Sequence, residues 1–137
     1  MLVSQILKSK PHAEILSVKP TDPVNVAVKL MSDNRIGTAV VSSDGTSLDG
    51  ILSERDIVRE MGRRGTSCLD RPVSEMMTAK IITCVQEDTA DRVLEMMTEG
   101  RFRHMPVMED GTMIGLISIG DVVKARLSEL SMEKAIG

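Results

Sequence analysis

Two seven-residue stretches of the chain share the pattern Gly-x-x-Ser-x-x-Asp. They are Gly50-Ile51-Leu52-Ser53-Glu54-Arg55-Asp56 and Gly115-Leu116-Ile117-Ser118-Ile119-Gly120-Asp121. Each serine follows an apolar run and opens a run of helical character, which places Ser and Asp where a strand hands over to a helix. A serine there makes a good N-cap, and an acid three residues on resembles a capping box. The same groups suit a nucleoside phosphate. A helix N-terminus presents free N–H groups and the positive end of the helix dipole to a phosphate. The serine hydroxyl adds a hydrogen bond, and the aspartate one turn on can accept both hydroxyls of a ribose. Taken locally, capping and nucleotide recognition are equally open. Leu16, Ile36, Ile82 and Leu116 are apolar neighbours that can sandwich a base.

A second cluster is Arg101-Phe102-Arg103-His104-Met105-Pro106-Val107. Basic residues at a helix C-terminus are commonly solvated partners of the dipole, and Arg101 fits that reading. Arg103 and His104 are cations, actual or potential, that suit phosphate charge. Arg55 and Arg59 follow the first motif and either face solvent or reach a phosphate.

The elements that carry these residues are written twice. When the chain is slid so that Ile15 meets Ile81, Asp22 meets Asp88, Met31 meets Met97 and Arg35 meets Arg101, while Asp44-Gly45-Thr46 meets Asp110-Gly111-Thr112. After a one-residue deletion Gly50 meets Gly115, Ser53 meets Ser118, Asp56 meets Asp121 and Arg59 meets Lys124. Turn residues and apolar positions stay in step across a whole unit, the mark of a repeated structural unit, and two such units commonly pack about a pseudo-two-fold axis. The copies diverge where Gly37-Thr38 stands against Arg103-His104, so the Ser53/Asp56 and Ser118/Asp121 sites are expected to be unequal.

Each unit reads as strand, helix, strand, strand, helix. The first strands are placed at 15–18 and 81–85. Helices follow, with Asp22 and Asp88 as caps and apolar stripes at Val24, Ala27, Val28 and Met31 and at Val93, Leu94, Met96 and Met97. The next strands cover 38–42 and 105–108, and an Asp-Gly pair then signals a hairpin. Short helical stretches at 2–7 and 73–77 precede the units. The expected division is 1–61 for the first repeat with its N-terminal helical segment, 62–72 for a Gly- and Arg-rich linker, 73–130 for the second repeat, and 131–137 for a tail.

Composition removes other classes. The 137 residues are 42% hydrophobic and 27% charged, with a net charge of −3, which fits a folded chain and no polyanion-binding surface. Phe102 is the only aromatic residue, too few for a single-stranded nucleic-acid groove built on stacking. Cys68 and Cys84 form no metal-ligand pattern; Cys84 reads as a buried thiol, Cys68 as a linker residue, and the pair as reduced. No membrane span and no targeting segment is legible, so a cytoplasmic setting is expected. No nucleophile–base–acid set or P-loop is present, which argues against an enzyme.

At the doubled motif the chain resembles the cystathionine β-synthase (CBS) domain family, and the resemblance covers nearly the whole chain as one tandem pair. It implies an α/β (α+β) fold of two pseudo-symmetric β-α-β-β-α CBS repeats packed through their sheets as a Bateman module. It implies adenosine-containing ligands: AMP first, with ATP or NAD(H) as alternatives, and no metal. In the family the motif Asp holds the ribose and the Ser contacts phosphate, and each cleft mixes both repeats. One cleft would join Ser118, Asp121, Leu116 and Gly120 with Leu16, Ile36, Gly37 and Thr38. The other would join Ser53, Arg55 and Asp56 with Ile82, Phe102, Arg103 and His104, and would be the more cationic. The resemblance also implies a homodimer and a regulated partner protein, with no nucleic-acid or membrane partner. The expected function is a regulatory nucleotide sensor; the alternative is a structural dimerisation or interaction domain with vestigial clefts.

Overall fold

The computed structural model describes residues 1–9 and 15–136, with side chains described as far as residue 131. In chain order the elements are α1 (Val3–Ser9), β1 (Ser17–Val18), α2 (Val24–Asn34), β2 (Thr38–Val41), β3 (Gly50–Ser53), α3 (Glu54–Arg64), α4 (Ala90–Gly100), β4 (His104–Glu109), β5 (Thr112–Ser118) and α5 (Ile119–Ile136). Single 3-10 turns lie at Thr66–Asp70 and Val73–Glu75. The fold is mixed α/β, and it falls into two compact units.

The first unit is Ile15–Ile81. Its sheet runs β1-β2-β3, with β1 parallel and β3 antiparallel to β2; Thr38 pairs with Ser53 and Val41 with Gly50. Helix α2 lays Val24, Ala27 and Met31 on Val18, Ala39, Val41 and Leu52, and α3 adds Ile57. Asp22 does not cap α2. Its carboxylate accepts the N–H of Lys19 at 2.9 Å, Pro23 is the capping residue, and the Val24 N–H donates to the Arg71 carbonyl at 2.9 Å. The residues read as a linker are built in: α3 runs on to Arg64, and Cys68, in the following turn, is fully buried. Val73 is a core residue of this unit.

The second unit comprises the described residues of Met1–Glu14 and Ile82–Gly137. The antiparallel pair β4–β5 turns at Asp110 (φ 50°) and Gly111 (φ 79°), the two positive φ angles a tight hairpin needs. The strand expected at 81–85 is reduced to one parallel bridge between Cys84 and Val107, with Cys84 N–H to Pro106 O at 3.0 Å and Met108 N–H to Cys84 O at 2.9 Å. Helix α4 is capped by Thr89, whose side chain accepts from the Arg92 N–H, while Asp88 accepts from the Val85 N–H. Val3 and Ile6 of α1 join Ala90, Val93, Met97, Met105, Val107, Ile117 and Val122 in the core. The N-terminal helix, which the sequence division attached to the first repeat, thus packs with the second. Its hydrophobic face is completed by α5 and β5. Helix α5 runs to Ile136, through the segment set apart as a tail.

Burial holds the Cys84 thiol in its neutral form. The side chain is 2% exposed, and its pKa is pushed up to about 12 by desolvation first and by the Asp88 carboxylate second.

Candidate functional site

Both serines end a strand and start a helix. Ser53 has extended backbone angles (φ −105°, ψ 160°) and caps α3 with a complete capping box. Its backbone N–H donates to Asp56 Oδ2 at 3.0 Å, its hydroxyl donates to the same oxygen at 2.9 Å, and the Asp56 N–H donates to Ser53 Oγ at 3.2 Å. The second copy repeats the core of this: Ser118 N–H to Asp121 Oδ2 at 2.9 Å, and Asp121 N–H to Ser118 Oγ at 3.1 Å. The capping reading of the motif is therefore realised in both copies. It leaves the aspartates half-buried rather than sealed.

The entry to each middle strand is tied to the same helix start. The Glu54 N–H donates to the Gly37 carbonyl at 2.9 Å, and the Ile119 N–H to the Arg103 carbonyl at 2.8 Å. In α3 the first and third N–H groups are thus satisfied within the chain. This helix end therefore offers fewer free N–H groups than the sequence suggested.

Within the first unit this gathers Gly37, Thr38, Ser53, Glu54 and Asp56 at one end of the sheet, Thr38 lying across from Ser53. Within the second it gathers Arg103, His104, Ser118, Ile119 and Asp121, His104 lying across from Ser118. Arg103 and His104 are thus the close neighbours of the second motif on their own sheet. Phe102 is half-buried and packs beside Gly100, while Ile82 is exposed. Leu16 and Leu116 are half-buried; Arg55 and Gly120 are exposed on the first turns of α3 and α5.

The motif glycines sit where other parts of the chain approach closely. A Cβ on Gly50 would stand 2.6 Å from Met77 Sδ and 3.0 Å from the Thr78 carbonyl, because residues 77–78 run alongside β3, with Ile51 and Thr78 exchanging backbone hydrogen bonds at 2.9 and 2.8 Å. A Cβ on Gly115 would stand 2.6 Å from Leu7 Cδ2.

A groove of about 470 Å³ opens beside the first motif, lined by Val28, Met31, Ser32 and Arg35, by Ile36 and Gly37, and by Glu54, Ile57 and Val58. Of the candidate site residues named from sequence, Ile36 and Gly37 line it. Ser32, Arg35 and Glu54 are polar groups there that sequence reasoning did not assign. Arg35 carried a signal: it closes α2 in the left-handed region (φ 53°), as Arg101 closes α4 (φ 57°). Among the described residues, no group of three or more His, Cys, Asp or Glu is placed to hold a metal ion, and no helix is long and apolar enough to cross a membrane.

The family model described as CBS domain matches residues 3–63 and 73–128. The chain is 38% identical over 134 residues to the Arabidopsis thaliana protein described as CBS domain-containing protein CBSX3, mitochondrial. That match covers 93% of this chain and 65% of CBSX3, so the chain spans just under two thirds of that relative. Among solved structures it is similar to the CBS-domain containing protein ATU1752 from Agrobacterium tumefaciens (40% identity, TM-score 0.84, 91% of this chain and 92% of that one). Two less similar structures share the fold and hold adenosine compounds. CBSX2 is in complex with AMP (24% identity, TM-score 0.77, covering 93% of this chain and 96% of that one). The CBS domain pair of MJ0100 is in complex with 5′-methylthioadenosine and S-adenosyl-L-methionine (22% identity, TM-score 0.78, 94% and 98%).

Proposed function

Because the chain belongs to the CBS domain family, with two copies of the domain in tandem, we propose that it is a regulatory module that binds an adenine nucleotide. The observation that carries this reading is the paired Ser–Asp geometry at both strand–helix junctions. Each copy fixes an aspartate, half-buried and held by a backbone N–H, where one carboxylate can meet the two hydroxyls of a ribose. AMP is the ligand we assign first, with ATP or NAD(H) as alternatives; the AMP held by CBSX2 supports the class of ligand. Asp56 and Asp121 hold ribose, Ser53 and Ser118 meet phosphate, and Leu16, Ile36, Ile82, Phe102 and Leu116 offer apolar surface to the base. Gly37, Thr38 and Gly120 leave room beside it, and Arg55, Arg103 and His104 supply positive charge to phosphate.

The module regulates by binding the ligand unequally in two states, of itself or of a homodimer, and so altering contact with a partner protein. We assign it no reaction of its own and no metal. Its two unpaired thiols fit a reducing, cytoplasmic setting. A second reading, a dimerisation domain with idle sites, is favoured by apolar residues left on helix surfaces: Val58 is 68% exposed and Leu127 is 63% exposed.

The test is a thermal shift series with AMP, ATP, NAD(H) and S-adenosylmethionine, joined to mass spectrometry of small molecules released from the freshly purified, denatured protein. A ligand specific to the native state raises the melting temperature. No shift at millimolar ligand and no released nucleotide would leave the dimerisation reading standing.

A further inference from the structure

Asp56 Oδ2 accepts from the Ser53 backbone and hydroxyl, and its other oxygen, Oδ1, accepts from the Arg59 guanidinium at 2.7 Å. Both oxygens of this carboxylate are engaged by the chain itself. The Asp56 side chain is 14% exposed and that of Arg59 is 65% exposed, so the guanidinium lies on the solvent side of the carboxylate. At the matching place on α5 stands Lys124. A lysine is a compact, strongly hydrated charge on a flexible stem, without the planar fork that fixes an arginine on a carboxylate oxygen.

We propose that Arg59 sets the strength of ribose binding at the first motif by holding the Asp56 oxygen that a ribose hydroxyl would otherwise take. The proposal rests on the nucleotide reading above. A ribose arriving at Asp56 must first displace the guanidinium, so affinity there is lowered by what the ion pair is worth. For a solvent-exposed pair of this kind that is about a two- to fivefold change in dissociation constant.

A conservative swap at Arg59 tests this. AMP binding to the full chain is measured by calorimetry in an Asp121→Asn background, which leaves the first motif as the ribose site under study, with and without Arg59→Lys. Arg59→Lys keeps the charge and loses the fork, so it is expected to tighten AMP about two- to fivefold while the ligand-free melting temperature falls slightly, by the loss of the same ion pair. The gain should shrink at high salt, which already loosens an exposed ion pair. Unchanged affinity in the Arg59→Lys variant would overturn the proposal, and so would weaker binding, which would make Arg59 a phosphate ligand. If AMP binding ignores both Asp56 and Asp121, or is absent, the nucleotide reading itself falls. Binding that needs Asp56 but ignores the swap removes only the role of Arg59.

Discussion

Gly115 and Leu7 are so close that a Cβ on the glycine would lie 2.6 Å from the leucine Cδ2. The glycine of the second motif thus makes room for α1, and the glycine of the first makes room for residues 77–78. The obstacle is the far end of a half-buried side chain, so Gly115→Ala is expected to cost only about 0.5–1.5 kcal/mol, the turning of Leu7 off its rotamer, and Leu7→Ala, which clears the space, to recover part of that loss. Gly50→Ala should behave differently. One of its obstacles is Met77 Sδ, the end of a flexible side chain, but the other is the Thr78 carbonyl, held by the pair of hydrogen bonds to Ile51. Trimming Met77 should therefore rescue Gly50→Ala less than trimming Leu7 rescues Gly115→Ala. Urea midpoints of the four variants and the two doubles check this.

On the proposed nucleotide reading Asp121 serves two ends, and different substitutions separate them. Its carboxylate accepts the Ser118 N–H, so Asp121→Ala should cost about 0.5–2 kcal/mol of stability as well as nucleotide affinity. Asp121→Asn keeps an acceptor for the Ser118 N–H and should fold nearly as well as the wild type. It loses the charge and the second acceptor oxygen, and AMP affinity at this motif should fall about tenfold or more. Equal AMP affinity in the asparagine variant, measured by calorimetry, would reduce Asp121 to a helix cap.

What the sequence shows best here is what repeats locally. The helix starts at Ser53 and Ser118 follow from side chains acting on their own backbone within three residues, and the Asp110-Gly111 turn from the positive φ angles those two residues adopt. What it hides is set by partners distant in the chain. Asp22 looks like the cap of α2, but the carbonyl of Arg71 takes the Val24 N–H. Cys68 looks like a linker residue, yet it is 1% exposed once α3 and the following turn close over it. The run at 81–85 has strand composition, but only Cys84 bridges to β4. The helix over 3–9 is legible; that it serves the second unit and not the first is a fact of packing that hydrophobic periodicity does not contain.

Cys84 gives a pH signature. Its pKa is pushed up to about 12 in the folded chain, against about 8.5 in an unfolded one. The neutral thiol is the form the fold favours, so its contribution is fully present below pH ~8.5 and is lost as pH rises towards 12. The stability difference between wild type and Cys84→Ala should shrink between pH 9 and 11, by about 1 kcal/mol per pH unit. Comparing the two proteins cancels the titration of the lysines. A thiol reagent at neutral pH should label Cys84 only as fast as the chain opens, and a difference that stays flat with pH would contradict this account.

The left-handed arginines make the sharpest test of whether local strain is kept for a purpose. Arg35 at φ 53° and Arg101 at φ 57° close α2 and α4 at a position where glycine is the ordinary choice, because a Cβ crowds the following carbonyl. The helix ends are otherwise well made: the Ile36 N–H reaches the Met31 carbonyl at 3.0 Å, and the Phe102 N–H reaches the Met97 carbonyl at 3.2 Å. Arg35→Gly and Arg101→Gly should therefore each stabilise the fold by about 0.5–1 kcal/mol, the relief of the Cβ outweighing the added freedom of the unfolded chain. Stability gained by so simple a change, at the same place in both repeats, leaves the side chain itself as the reason for the arginine. Arg35 lines the groove beside Gly37 and Glu54. Arg35→Gly should accordingly melt higher without ligand yet gain less from saturating AMP than the wild type does. A variant that melts lower in the absence of ligand would show that Arg35 holds the fold together and that its backbone angle costs nothing worth relieving.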